Sequence, residues 1–269
     1  MTGWIVPALV GLLPVLGFLG VLVAIESHRL VRLSTVIAVV AAGAVVAGLC
    51  YAANAWMIDR LGLDLRSYSR YVAPIVEELA KAAIVGVLVH TRRVGFLVDG
   101  AILGFAVGAG FAIVENLYYQ QIASDAGLGT WIVRGFGTAI MHGGATAIYT
   151  IATLALLEQV RPRLLAFVPG FVTAVMLHSA FNHMFLSPKL STLAVVVVIP
   201  PLILYVFQHS QKAVGDWLGR GFDSDAERLA PSQAGDSDVP GGQISGRVER
   251  WCRSCSGVLP DSLYCLRGQ

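Results

Sequence analysis

Residues 71–90, YVAPIVEELAKAAIVGVLVH, set Glu77, Glu78 and Lys81 in a run otherwise apolar enough to cross a membrane. In water the trio would be an ordinary solvated helix face, with Lys81 one turn after the two carboxylates. In hydrocarbon each such side chain costs about 2.5–3.5 kcal/mol at the bilayer centre, so it persists with a partner or a job. One lysine neutralises one carboxylate and leaves the other protonated or held by something else. Further polar residues follow in apolar surroundings: Glu115 and Asn116 in DGAILGFAVGAGFAIVENLYY, His142 in GTAIMHGGATA, and His178 and Asn182 in HSAFN. The last two are four residues apart and share a helix face. Carboxylates, histidines and an asparagine in an apolar cavity are the ingredients for activating water. A carboxylate desolvated beside a second one can take and return a proton. Attack on a peptide carbonyl then makes an oxyanion, for which His178 and Asn182 are candidate donors. The same inventory could hold Zn²⁺ through His142, His178 and Glu78, with water in the fourth position. No HExxH helix is present, so such a site would be assembled from separate spans. The alternative from another class is a proton- or cation-coupled transporter using these groups as a relay, and the bland one is interhelical hydrogen bonding as packing glue.

The elements that must position these residues are membrane spans. The chain of 269 residues is 56% hydrophobic and 13% charged, about half the charge of an average soluble protein. A formal net charge of +2 without basic clusters gives no support to a nucleic-acid partner. Dinucleotide, phosphate-loop and Gly-x-Ser-x-Gly signatures are missing. Seven runs long enough for a bilayer occur at 4–25, 34–57, 71–90, 95–118, 131–157, 164–186 and 190–208, which predicts an all-α polytopic bundle of about seven transmembrane helices. The first run reads as a retained span, since no Lys or Arg precedes it while Arg29 and Arg32 follow. Loop counts of Lys and Arg place the N-terminus outside and the tail in the cytoplasm of a multi-pass cell-membrane protein.

Depth then becomes informative, because the topology lets each residue be placed along the membrane normal. At 1.5 Å per residue, Glu77 and Glu78 lie about 10 Å below the outer ends of their span, Glu115 about 5 Å, His142 about 17 Å and His178 about 12 Å. All fall in the outer half, as walls of one cavity would. Gly100, Gly104 and Gly108 form a small-residue face for close helix contact. Pro74 frees a backbone carbonyl one turn before Glu77. Arg134 and Asp99 read as span-end residues without chemistry.

These motifs, EELAK in one span, the glycine-spaced segment ending in ENLYY in the next, a histidine in the following one and HSAFN at 178–182, resemble the PrsW family of intramembrane proteases, related to the CAAX prenyl-protease-like membrane enzymes. The resemblance covers residues 70–190. It implies Glu77 and Glu78 as the catalytic pair, Glu115 with Asn116, His142, and His178 with Asn182 as the remaining motifs, and Lys81 as the family lysine. It also implies a peptidase, described as a metalloprotease, acting on a membrane-spanning protein substrate in regulated proteolysis, with an anti-sigma factor trimmed from its outer side as the type case.

The domain expected is thus 1–210, followed by a disordered linker at 211–250, rich in Ser, Gly, Asp and Pro, and a tail at 251–269. The tail holds Cys252, Cys255 and Cys265. It reads as an incomplete zinc ribbon, because the position that would complete a second Cys-x₂-Cys is Gly268.

Overall fold

A computed structural model describes residues 5–26, 31–123 and 125–233. The tail cysteines and residues 234–250 lie outside the described residues. The helices are α1 (Ile5–Ala24), α2 (Leu33–Leu61), α3 (Leu65–Ser67), α4 (Ala73–His90), α5 (Leu97–Ile122), α6 (Leu128–Ile132), α7 (Ile140–Leu156), α8 (Phe167–His183) and α9 (Pro188–Gln233). Two π-helical segments, Tyr68–Val72 and Val133–Ala139, lead into α4 and α7, and a 3-10 turn, Arg163–Ala166, leads into α8. Met1–Ala213 form one compact unit and Val214–Gln269 a second. The site belongs to the first.

Among the described residues, six stretches, 5–24, 33–61, 97–122, 128–156, 163–183 and 188–213, are long and apolar enough to cross a membrane. The seventh expected span is α4, whose 18 residues include Glu77, Glu78 and Lys81. Leu13, Ile37, Leu49, Met176 and Val197 project outward and exposed. An apolar exterior on a bundle whose backbone bonds are satisfied within its helices is the arrangement lipid requires. The fold is an all-α, multi-pass membrane bundle.

α5 is the central helix, and glycine puts it there. A Cβ on Gly104 would meet Ala147 Cα and Thr146 O of α7 at 2.9 Å, and one on Gly108 would run into the backbone of His142 and Gly143. The opposite face closes on α2, where Gly110 lies against the Val40 carbonyl and Gly43 of α2 against the Val107 carbonyl. Only residues lacking a side chain admit this approach. The stripe therefore packs α5 on α7 and brings Glu115 to His142.

Pro74 sits in the first turn of α4, directly after the π-helical segment. Lacking an N–H, it frees one carbonyl of the preceding turn, and the step out of the π register, in which Ala73 N–H reaches Tyr68 O, frees another. Two side chains of α8 serve them: Ser179 Oγ donates to Arg70 O at 2.7 Å, and Asn182 Nδ2 to Ser69 O at 2.9 Å. The proline thus docks the end of α8 against the start of α4.

Two boundaries differ from the sequence reading. α5 continues to Ile122, so Glu115 lies seven residues from its end, about 10 Å, which matches the depth of Glu77 and Glu78 better than expected. The backbone is helical to Gln233 where a disordered linker is expected from 211. A helix already nucleated extends through DAERLA, a favourable run, for little cost.

Candidate active site

The start of α4, the ends of α2, α5 and α8, and the start of α7 meet at one end of the bundle, and their polar residues converge there. Glu78, Lys81, His142 and His178 are each no more than 2% exposed. Glu78 Oε1 receives Lys81 Nζ at 2.5 Å and His178 Nδ1 at 2.8 Å. Lys81 Nζ also lies 3.0 Å from His142 Nδ1 and over the Phe111 ring, 4.7 Å from its centroid. The lysine therefore serves the second glutamate of the pair and a histidine on another helix, and the two histidine rings meet edge to face at 4.6 Å.

Glu77 has a different environment. Asn54 Nδ2 of α2 donates to its Oε1 at 3.1 Å, and Tyr68 Oη donates to Asn54 Oδ1 at 2.9 Å. The Tyr68 bond orients the amide with its nitrogen toward Glu77. The other carboxylate oxygen, Oε2, faces His178 Nε2 at 3.9 Å. In the neutral tautomer whose Nδ1 donates to Glu78, His178 Nε2 presents a lone pair toward Glu77. A lone pair and a carboxylate oxygen held 3.9 Å apart repel unless a proton, a water or a cation lies between them.

The third wall is Glu115. Its Oε2 lies 2.7 Å from His142 Nε2 and its Oε1 3.1 Å from Arg134 Nη2. This 2.7 Å contact pairs a carboxylate oxygen of α5 with the ring of α7. Arg134 Nε donates to Asn116 Oδ1 at 3.0 Å, Asn116 Nδ2 donates to the Gly11 carbonyl of α1 at 2.7 Å, and the guanidinium stacks on Tyr119, 3.7 Å from the ring centroid.

The sequence candidates Glu77, Glu78, Glu115, His142 and His178 thus come together. Asn182 does not: its amide is spent on Ser69 O, since the carbonyl freed at the step out of the π register outcompetes the cavity for a donor. Arg134, read as a span-end residue, is the counter-charge of Glu115, because α7 is entered through a π-helical segment that turns the side chain inward. Asn54 and Tyr68 were also missed. The signal for Asn54 was a side-chain amide near the end of an otherwise apolar span. For Tyr68 nothing in a short loop pointed inward.

Among the described residues, metal-ligand distances select one trio. Ligand atoms of Glu77, His142 and His178 all lie within 4.8 Å of one another. Glu78, expected as the carboxylate ligand, is committed to Lys81 and His178. The trio fits a divalent cation on three counts: three N and O donors suit catalytic zinc, the facing lone pair and carboxylate ask for positive charge between them, and Glu78 on the far nitrogen of His178 is the carboxylate–histidine support typical of such ligands. For His142 Nε2 to serve as ligand, its proton must sit on Nδ1 and Lys81 must receive it as an amine.

A family model described as PrsW family intramembrane metalloprotease matches residues 29–206. No protein of curated function and no solved structure matches.

Proposed function

The chain belongs to the PrsW family of intramembrane metalloproteases and is a membrane-embedded peptidase; from that premise we propose that it hydrolyses peptide bonds of membrane-spanning proteins with water activated between Glu77 and His178. The observation that carries this reading is the 3.9 Å gap between Glu77 Oε2 and His178 Nε2, with His142 alongside.

In this mechanism Asn54 fixes one oxygen of Glu77 and leaves Oε2 to take the proton of the attacking water. That proton is then delivered to the leaving amine. Glu78 is a positioning residue, holding His178 through Nδ1 and balanced by Lys81. With Lys81 donating to Nδ1 of His142, the proton of His142 sits on Nε2 beside Glu115 Oε2, and turning it from that carboxylate makes it the donor for the developing oxyanion. Glu115, neutralised by Arg134, orients that ring. A zinc ion held by Glu77, His142 and His178 would supply Lewis-acid activation of the water and of the peptide carbonyl in place of the proton roles of Glu77 and His142, whose facing atoms would then be ligands.

We assign the polar end of the bundle to the outer face of the cell membrane, with the N-terminus outside and the tail in the cytoplasm. The substrate is then cut near its outer side, as in regulated proteolysis of a single-pass protein such as an anti-sigma factor. The test is cleavage of a tagged single-span reporter by protein reconstituted in vesicles. Glu77→Gln and His178→Ala at matched abundance are expected to lose at least about 100-fold in rate, the lower bound for removing a general base. Undiminished cleavage by both sinks the assignment.

A further inference from the structure

The reactive cluster is braced from a helix that carries none of its reacting groups. α1 precedes the family-matched stretch at 29–206, yet its Gly11 carbonyl receives Asn116 Nδ2 at 2.7 Å, and Asn116 Oδ1 receives Arg134 Nε at 3.0 Å. Arg134 Nη2 in turn lies 3.1 Å from Glu115 Oε1, and Glu115 Oε2 lies 2.7 Å from His142 Nε2. We propose that α1 is a positioning element of the active site: seated, it fixes the Arg134 guanidinium and through it Glu115 and His142; unseated, it lets turnover fall while substrate binding holds. The proposal rests on the peptidase reading above and names what sets the geometry of that site.

The relay assembles in one way only. An arginine Nε donates and a backbone carbonyl accepts, so the Asn116 amide serves both in a single orientation. Asn116 is 3% exposed, and a buried amide without partners is costly. Losing the Gly11 acceptor therefore turns the amide and takes Oδ1 away from Arg134. The guanidinium is then held by the Tyr119 ring and by Glu115 at one edge. A stack fixes its plane but not the turn within that plane, so Glu115 loses a fixed partner opposite His142.

α1 meets the Arg134 turn at a second point. Pro14 lies inside α1 and has no N–H to give the Val10 carbonyl four residues earlier. That carbonyl faces Gly135, the residue after Arg134, so closely that a Cβ on Gly135 would run into it; only glycine admits the approach. Successive carbonyls of one α1 turn, Val10 and Gly11, thus hold Arg134 from two sides, one through Gly135 and the other through Asn116. Both contacts act on the π-helical entry to α7, Val133–Ala139.

The rest of α1 grips the bundle by one stripe, Gly11, Val15, Leu19 and Leu22, while Leu9, Leu13 and Leu16 are exposed. Lipid tails solvate such a helix as well as protein does, so its seat depends on close packing and polar contact. Seating is therefore decided in large part at the Val10–Gly11 turn, the same turn that holds Arg134.

The experiment is a double-mutant cycle on cleavage of the single-span reporter in vesicles. Gly11→Leu unseats α1, because the Cβ position already lies 3.7 Å from Asn116 Nδ2 and 3.8 Å from Trp131, and a longer side chain extends into both. Gly135→Ala unseats it at the other carbonyl and carries the test where Gly11→Leu does not fold, as thermal unfolding in detergent shows. Each is expected to lower kcat by about 10- to 100-fold, the scale of a small misplacement of reacting groups, with KM changed by less than about twofold. Gly17→Leu, at a position with nothing within 4 Å, is expected to leave both constants unchanged. In an Arg134→Gln background, Gly11→Leu or Gly135→Ala is expected to add less than about twofold, because effects routed through one residue do not add. Additive losses, a rise in KM alone, or wild-type kcat in both variants overturns the proposal. Glu77→Gln is measured beside them: wild-type cleavage by it overturns the catalytic assignment, whereas the cycle still decides whether α1 acts through Arg134.

Discussion

Glu77 and Glu78 are neighbours in sequence but point about 100° apart around α4, and that angle gives them different work. Glu78 turns into the lysine and the supported nitrogen of His178; Glu77 turns to the open gap. Their buried partners make a clear energetic prediction. Lys81→Met strands Glu78 in a site where both are almost fully enclosed, and breaking such a pair costs about 3–5 kcal/mol. The double variant Lys81→Met with Glu78→Leu is expected to recover most of that loss, read as thermal unfolding in detergent. A loss in the double variant equal to the sum of the two singles would show that Lys81 does not balance Glu78. The types Glu, His and Lys were legible in the sequence because hydrocarbon makes each conspicuous. The role of Asn182 was not, since a side-chain amide serves an oxyanion and a freed backbone carbonyl equally well. Asn182→Ala is accordingly expected to cost about 1 kcal/mol of stability, with turnover falling far less than in Glu77→Gln, measured on the same reporter.

Helices bring these residues together through features that carry no charge. The apolar runs showed the spans, since lipid demands about 20 residues per crossing, and the four-residue glycine spacing showed a close contact. Neither could name the partner helix: the face of Gly100, Gly104 and Gly108 meets α7, and so sets Glu115 against His142. The π-helical entries to α4 and α7 left no mark in the sequence either, because one extra residue in a turn changes direction without changing composition. Arg134 was misread for that reason. A substitution pair tests the glycine argument. Gly108→Ala would press a methyl into the backbone of His142 and is expected to cost about 1–3 kcal/mol and to depress cleavage, whereas Gly86→Ala, which meets nothing within 4 Å, is expected to leave both unchanged. Equal behaviour of the two by thermal unfolding would contradict close α5–α7 packing as the positioning device.

At the scale of the whole molecule, alternating helices lay every reactive group at one end of the bundle: Asn54 near the end of α2, Glu77 near the start of α4, Glu115 near the end of α5 and His178 near the end of α8. The shared depth was readable from topology and helical rise alone. The orientation proposed for the cell is tested by cysteine labelling. A cysteine at Ser67, in the short α3 on the cluster side, is expected to react with a membrane-impermeant maleimide from outside intact cells, and one at Arg93, beyond the opposite end of α4, is expected to react only after permeabilisation; the reverse pattern inverts the topology. The account rests most heavily on the gap between Glu77 and His178 as the place where water is activated. Its direct test is the initial cleavage rate of a single-span reporter in vesicles by wild type, Glu77→Gln and Asn182→Ala at equal protein. The account predicts that Glu77→Gln falls by at least about 100-fold while Asn182→Ala keeps most of its activity. Wild-type cleavage by Glu77→Gln would contradict it.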